Sequence, residues 1–312
     1  MRVKRYGVVD IGTLKVKLQI VEKTASGDLK TIEQSNNLTC LGVRMEENGG
    51  RPKEEYLQQT IGELGRCKQV MEKEKVDRVR VVSTHALREM GQVGKEVVEL
   101  IKKKVGFQVE IISQQEEAEL FYRAVLRDFR TDEDFTILDV GGGSVQILIG
   151  NRRKLKKSFL LKTGTSMLWD RFTPGHGALD FPKRAEIGKM RNYVLQQLQP
   201  VPEKIRTPIV YGSSCIIDVF AGVRLPVQDY GGSPSHPKRA SVAVMEKFLG
   251  GVWRIPYDTR EEMFRSPTTK YMWGIDKAFL NVVELAKRIE APYVIPSNAN
   301  INQGLLLALV EA

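Results

Sequence analysis

The sequence predicts an α/β protein built from two domains of like topology that face a shared cleft. Three observations lead there. The chain has 312 residues, a length that suggests about two domains of ~150 residues each. Strand patterns alternate with helix patterns, the mark of an α/β sheet. And one strand–turn–strand pattern occurs twice, each copy opening about half of the chain.

The first copy is "VVDIGTLKVKLQI" (8–20) and the second is "ILDVGGGSVQILI" (137–149). In register, Asp10 meets Asp139, Gly12 meets Gly141, and Val16, Leu18 and Ile20 meet Val145, Ile147 and Ile149. A hairpin alone explains the alternation of apolar residues. It does not explain an Asp and a Gly at the same offsets in both turns. Two accounts of the glycines stand at this point. One is a tight turn, since Gly is the default wherever φ must be positive. The other is a phosphate cradle, in which bare backbone N–H groups close on oxyanions and the Asp holds a cation against them.

Between the copies, Leu57, Ile61, Leu64 and Met71 lie at helical spacing. "VDRVRVVST" then reads as a strand, "GKEVVELIKKKV" as a helix, "QVEIIS" as a strand and "QEEAELFYRAVLRDF" as a helix. The short polar "RTDEDF" (130–135) reads as a connection between domains. The second half predicts a helix near 183–198, a strand at 207–212, Gly/Pro-rich loops at 222–237 and a last helix near 302–311. The expected domains are 1–126, with the helix at about 301–312 packing back onto it, and 127–312.

Composition narrows the function classes. The chain is 42% apolar and 28% charged, as soluble globular proteins are. It has no apolar run of the ~18 residues needed to span a bilayer, and "MRVKRYGVVDIGT" lacks the pattern of a signal peptide. Cys40, Cys67 and Cys215 have no paired spacing, and His85, His176 and His236 are dispersed. Reduced thiols in a cytoplasmic protein are the expectation, with no zinc cluster. The net charge of +10 favours polyanionic partners; its densest clusters, 151–157 and 101–105, also fit a solvated hairpin rim and a solvated helix face.

Three more stretches offer groups for phosphate chemistry. In "STHALREM" (83–90), Arg88 follows a strand, where α/β sheets bind ligands; it is suited to clamping a phosphate or to a helix-surface salt bridge. In "ISQQEEAEL" (112–120), Ser113 and Glu116 form a capping box. Glu117 has no such duty and is placed either to deprotonate water or to complement the helix dipole. In "VYGSSCIIDVFA" (210–221) a strand runs through Gly212 and Ser213 into a helix, an anion site or an ordinary Ser cap.

These pieces, in this order, resemble the exopolyphosphatase/guanosine pentaphosphate phosphatase family, within the actin-like ATPase superfamily. The matching elements are "VVDIGT" (8–13), "STHALRE" (83–89), "IISQQEEAEL" (111–120), "ILDVGGGSVQ" (137–146), "YGSSCIIDVFA" (211–221) and "NQGLLLAL" (302–309). The length is similar to that of the short, two-domain members. The resemblance implies two actin-like (ribonuclease H-like) domains flanking an active-site cleft. It also implies Mg²⁺-dependent release of orthophosphate from inorganic polyphosphate or guanosine pentaphosphate. Carried over by position, Glu117 is the carboxylate that positions and activates water and Arg88 the phosphate-binding Arg. Asp10 and Asp139 orient Mg²⁺ or its waters. Gly12 and Thr13 belong to the first phosphate loop, where Lys15 departs from the pattern but could itself reach phosphate; Gly141, Gly142, Gly143 and Ser144 form the second, and Gly212 and Ser213 a further turn.

The sequence departs from the family pattern at the site itself. Leu14 and Lys15 replace the Asn and Ser of the first loop, Val145 and Gln146 replace the Thr-Glu that ends the second, and Glu119 replaces an Arg. These changes keep a second reading alongside the hydrolase: a protein that binds polyphosphate or an alarmone without turnover. An ATP-using kinase or chaperone-like ATPase is the third, although no G-x-x-x-x-G-K-[ST] loop is present. Nucleic-acid and membrane partners are not expected, and the oligomeric state is open between a monomer and a homodimer.

Overall fold

The computed structural model describes residues 3–213, 215–233, 235–264 and 272–312. Ser214, inside the predicted glycine–serine turn, lies outside them. The chain divides into two compact units, one of residues 1–124 with 301–312 and one of residues 125–300.

The first unit opens with β1 (Arg5–Ile11), β2 (Lys15–Lys23) and β3 (Leu29–Leu38). Helix α1 (Glu54–Lys73), β4 (Arg78–Ser83), α2 (His85–Glu89), α3 (Gln92–Val105), β5 (Val109–Ile111) and α4 (Gln114–Leu126) follow. The sheet order is β3-β2-β1-β4-β5. β1 lies antiparallel to β2 and parallel to β4. A central strand covered on both faces should read as a continuous apolar run, and Tyr6, Val8, Val9 and Ile11 are all buried. Alternation sends them to two cores. Val9 and Ile11 pack with Leu57, Leu64 and Met71 of α1 and Val97 and Ile101 of α3. Tyr6 and Val8 pack with Leu120 of α4.

The second unit repeats the plan with β6 (Phe135–Val140), β7 (Val145–Asn151), β8 (Lys154–Leu161), α5 (Thr165–Phe172) and α6 (Arg184–Gln197). Next come β9 (Ile209–Gly212), α7 (Ile216–Gly222), β10 (Gln228–Ser233), β11 (His236–Arg239), α8 (Val242–Val252), α9 (Tyr257–Met263), α10 (Ile275–Ile289) and β12 (Val294–Ser297). Its large sheet runs β8-β7-β6-β9-β12. That order matches β3-β2-β1-β4-β5 strand for strand, so the two units share one topology. The core gathers Leu138, Ile147, Leu168 and Phe279 under this sheet. Within the segment 222–237, expected as loops, residues 228–233 and 236–237 are instead strands of the β10–β11 hairpin. Its Gly, Pro and Ser content disguised two short strands.

The last helix, α11 (Ile301–Glu311), belongs to the first unit, where Ile301, Leu305, Leu306 and Leu309 join Tyr6 and Val8. Gly304 is required there: a Cβ would lie 2.0 Å from the Leu120 carbonyl oxygen. No helix among the described residues is long and apolar enough to cross a membrane.

Candidate active site

The candidate residues fall into two groups, one in each unit, and each group stands at the carboxyl ends of parallel strands. In the first unit β1, β4 and β5 end together. Ile11 is in register with Ser83, and Ser83 with Ile111; the Ser83 hydroxyl donates to the Ile11 carbonyl at 2.9 Å. This brings Asp10 and Gly12, Arg88 and Glu117 to one edge of one sheet.

Arg88 and Glu117 meet directly. Arg88 Nη2 lies 3.0 Å from Glu117 Oε2, with both side chains mostly buried. Arg88 Nη1 donates to the Ile112 carbonyl at 3.0 Å. The guanidinium therefore stands between the end of β5 and the first turn of α4, held by the carboxylate that the sequence paired with it in function. Its salt bridge is not the helix-surface kind. The capping box forms by half: the Glu116 amide donates to Ser113 Oγ at 3.1 Å. The Glu116 carboxylate turns away to Arg80, 2.7 Å off, because a charged pair outweighs a reciprocal bond to a backbone amide.

Asp10 is 2% exposed. Its cross-strand partner is Lys17, whose Nζ lies 3.2 Å from Oδ2. Oδ1 is buried without a hydrogen-bond partner among the described residues. A hard cation or its water is chemically suited to that oxygen. The loop that follows is closed by the Gly12 amide on the Lys15 carbonyl at 2.9 Å. It is backed by residues the sequence reading missed. The Leu14 carbonyl accepts from the amides of Thr39 and Cys40, and the Thr13 carbonyl from that of Gly42. A Cβ on Gly42 would meet Thr13 Cγ2 at 2.8 Å.

The second unit repeats the device. The Gly141 amide closes on the Ser144 carbonyl at 2.9 Å. Asp139 is in register with Gln146 on β7 and with Gly212 on β9, and Gly212 with Ser297 on β12. Neither Gly12 nor Gly141 has a positive φ, so a left-handed backbone is not the reason for these two glycines. At each, a Cβ would press on the carbonyl that closes the loop, at 3.2 and 3.1 Å.

The loop carbonyls are taken up by α5. The Thr165 amide donates to Gly141 and those of Ser166 and Met167 to Gly142. The amides of Gly142, Gly143 and Ser144 have no backbone acceptor among the described residues, although Gly143 and Ser144 are buried. Buried amides are nearly always paired, so this row is shaped to receive an acceptor. Gly164 makes the arrangement possible: a Cβ there would sit 2.3 Å from the Gly142 oxygen and 2.5 Å from the Ser144 nitrogen. The small polar run "TGTS" before an apolar helix is the one sequence signal for it.

Gly212 ends β9, and the Ser213 amide donates to the Ser297 carbonyl at 3.2 Å. The start of α7 is not capped by the Ser213 side chain. Cys215 is its N-cap, without a side-chain bond, and Asn298 Oδ1 accepts from the Ile217 amide at 2.9 Å. Tyr211 is held protonated: burial pushes its phenol up, and Cys215 and Asp139 add to the shift. Among the described residues no three His, Cys, Asp or Glu side chains cluster to hold a metal. A magnesium ion here would rest on one or two carboxylates with waters and phosphate oxygens, its usual manner of binding.

Comparison with known proteins identifies the family. The model of the Ppx/GppA phosphatase family matches residues 20–221. Exopolyphosphatase 2 of Mycobacterium tuberculosis is 26% identical over 210 residues, 64% of this chain and 63% of that protein. Exopolyphosphatase 1 of Mycobacterium leprae is 24% identical over 195 residues, 62% of this chain and 56% of its own length. The matches thus span less than two thirds of these relatives. Among solved structures, an exopolyphosphatase from Cytophaga hutchinsonii superposes with a TM-score of 0.84 at 21% identity, over 99% of this chain and 98% of that one. The Aquifex aeolicus Ppx/GppA family member does so with a TM-score of 0.77 at 24% identity, over 99% and 98%. Sharing that fold, its repeated sheet order and the sequence of the family across most of its length, the chain belongs to the Ppx/GppA phosphatase family.

Proposed function

We propose that the protein is an Mg²⁺-dependent phosphohydrolase that releases terminal orthophosphate from inorganic polyphosphate or guanosine pentaphosphate. The observation that carries this is the row of amides at Gly142, Gly143 and Ser144, which have no backbone acceptor among the described residues, on the loop that follows Asp139. Such a row binds an oxyanion through its backbone, without regard to what the anion is attached to. The named relatives, both exopolyphosphatases, support the same class of substrate.

The chemistry asks for positioning and charge neutralisation more than for covalent groups. The loop amides orient the terminal phosphoryl group. Arg88, fixed by Ile112 and Glu117, adds positive charge where negative charge grows on the transferred group. Glu117 accepts the proton of the attacking water, and its ion pair with Arg88 keeps the carboxylate aimed. In each unit the Asp beside the loop, Asp10 in the first and Asp139 in the second, is the group suited to holding Mg²⁺, which would supply charge neutralisation to the phosphate oxygens.

A second reading is favoured by Lys17. Its ammonium already occupies one oxygen of Asp10, as expected of a relative that binds a polyanion without turning it over. The deciding experiment measures orthophosphate release with Mg²⁺ from polyphosphate and from guanosine pentaphosphate, with Glu117→Gln as control. Release that disappears in the control is the expected result. No release from the wild type, together with tight retention of polyphosphate on a filter, would replace the hydrolase with the binder.

A further inference from the structure

Gln146 is the most conspicuous polar side chain that this chemistry leaves unused. It stands on β7, directly across the sheet from Asp139, so the two side chains share a face about 5 Å apart at Cβ. It is 3% exposed. Neither Nε2 nor Oε1 has a hydrogen-bond partner among the described residues, and exchanging the two atoms would change nothing. A buried primary amide left wholly unsatisfied is costly, about 1–3 kcal/mol for each group. A residue kept at such a cost ordinarily serves a ligand. The ligand that the neighbouring loop is shaped for is an oxyanion, two residues away at Ser144.

A carboxylate at this position would behave quite differently. A carboxylate only accepts hydrogen bonds and repels phosphate unless a cation stands between them. An amide donates to phosphate directly and carries no charge. Resting on the function proposed above, we infer that Gln146 contacts the substrate. Nε2 donates to a non-bridging oxygen of the bound polyphosphate, so that at this position no divalent ion is needed between side chain and anion. Gln146 then sets specificity by lowering the demand for metal in binding. Glu117 and the loops govern the reaction itself.

Calorimetric titration of the full chain with tripolyphosphate tests this, in EDTA and again in Mg²⁺. The wild type is expected to bind in both. Gln146→Glu should weaken binding about tenfold or more in EDTA, the loss of a hydrogen bond to a charged group, and recover most of it in Mg²⁺. Gln146→Leu should weaken binding in both solutions while the ligand-free protein melts no earlier than the wild type, since the orphaned amide is gone. Two results overturn the inference and leave the proposed function standing. One is wild-type binding only in Mg²⁺. The other is wild-type affinity in EDTA for both variants, as expected if Gln146 merely holds a buried water. A wild type that binds tripolyphosphate in neither solution removes the proposed function and this inference together.

Discussion

The hairpins that open the two units are built alike and finished differently. In both, the first glycine of the loop closes on the carbonyl three residues ahead at 2.9 Å. In both, an Asp faces the returning strand one register step before the loop. The residue it faces is Lys17 in the first unit and Gln146 in the second. Lys17 ties its Asp with an ammonium at 3.2 Å; Gln146 forms no hydrogen bond among the described residues. Backbone closure depends on glycine and strand register and is kept. The charge presented beside it depends on one side chain and changes without disturbing the fold. The first unit carries its own counter-ion, and the second presents an uncharged donor and acceptor.

The largest break in this comparison should come from the segments that back the two loops. Gly164→Ala places a methyl 2.3 Å from a backbone oxygen. Backbone cannot rotate away as a side chain can, so a loss of about 3 kcal/mol is expected, the upper range for overpacking. Gly42→Ala meets the methyl of Thr13 at 2.8 Å, with Ala86 Cβ and Thr13 Cα no nearer than 3.3 Å, and should cost about 1 kcal/mol. Urea denaturation of both variants measures the gap; equal losses would mean that the two loops are backed alike.

Lys17→Gln makes the first hairpin resemble the second. It leaves the Asp10 carboxylate, 3% exposed, without the ammonium. Stranding one half of a fully buried pair costs about 3–5 kcal/mol. Lys17 itself is 22% exposed, so about 2 kcal/mol is the expectation, again from denaturant midpoints. A loss near zero would show that solvent already compensates Asp10 and that the two hairpins differ less than their geometry implies.

The smallest effect separates the units by pH. In the second unit the buried His236 faces Asp128 at 3.3 Å, Ser233 and Ser297. Burial lowers its pKa below the ordinary 6.5, against the opposing pull of Asp128. The unfolded chain then takes up the proton first, so stability is full above pH 6.5 and declines as the pH falls below it. His236→Gln should flatten that decline by less than about 1 kcal/mol. Melting temperatures between pH 7 and 5.5 would show it, and parallel slopes for the two proteins would remove His236 as the cause.

These contrasts mark how far the sequence could be read. The Asp–Gly repeat was legible because turn and register chemistry is local: the residues that form each hairpin are neighbours in the chain. Glu117 and Arg88 could be placed at strand ends by the same local patterns, but their ion pair is a contact between α2 and α4 that no spacing announces. Gly164 and Gly42 looked ordinary because the reason for each lies some twenty to thirty residues upstream, in a loop that a side chain would strike. The β10–β11 hairpin was hidden by turn-like composition. Glu116 left its capping partner for Arg80, a tertiary charge outweighing a local rule.

The placement of α11 bears on how the protein comes to be made. Residues 125–300 form one uninterrupted unit, whereas the other is completed only by residues 301–312. During translation the later-encoded unit can fold as soon as its last strand leaves the ribosome, because domains fold as units while synthesis proceeds. The earlier-encoded one must wait with Tyr6, Val8, Val82 and Leu120 uncovered until Leu305 and Leu309 arrive to cap them. The half synthesised first is therefore closed by the residues synthesised last.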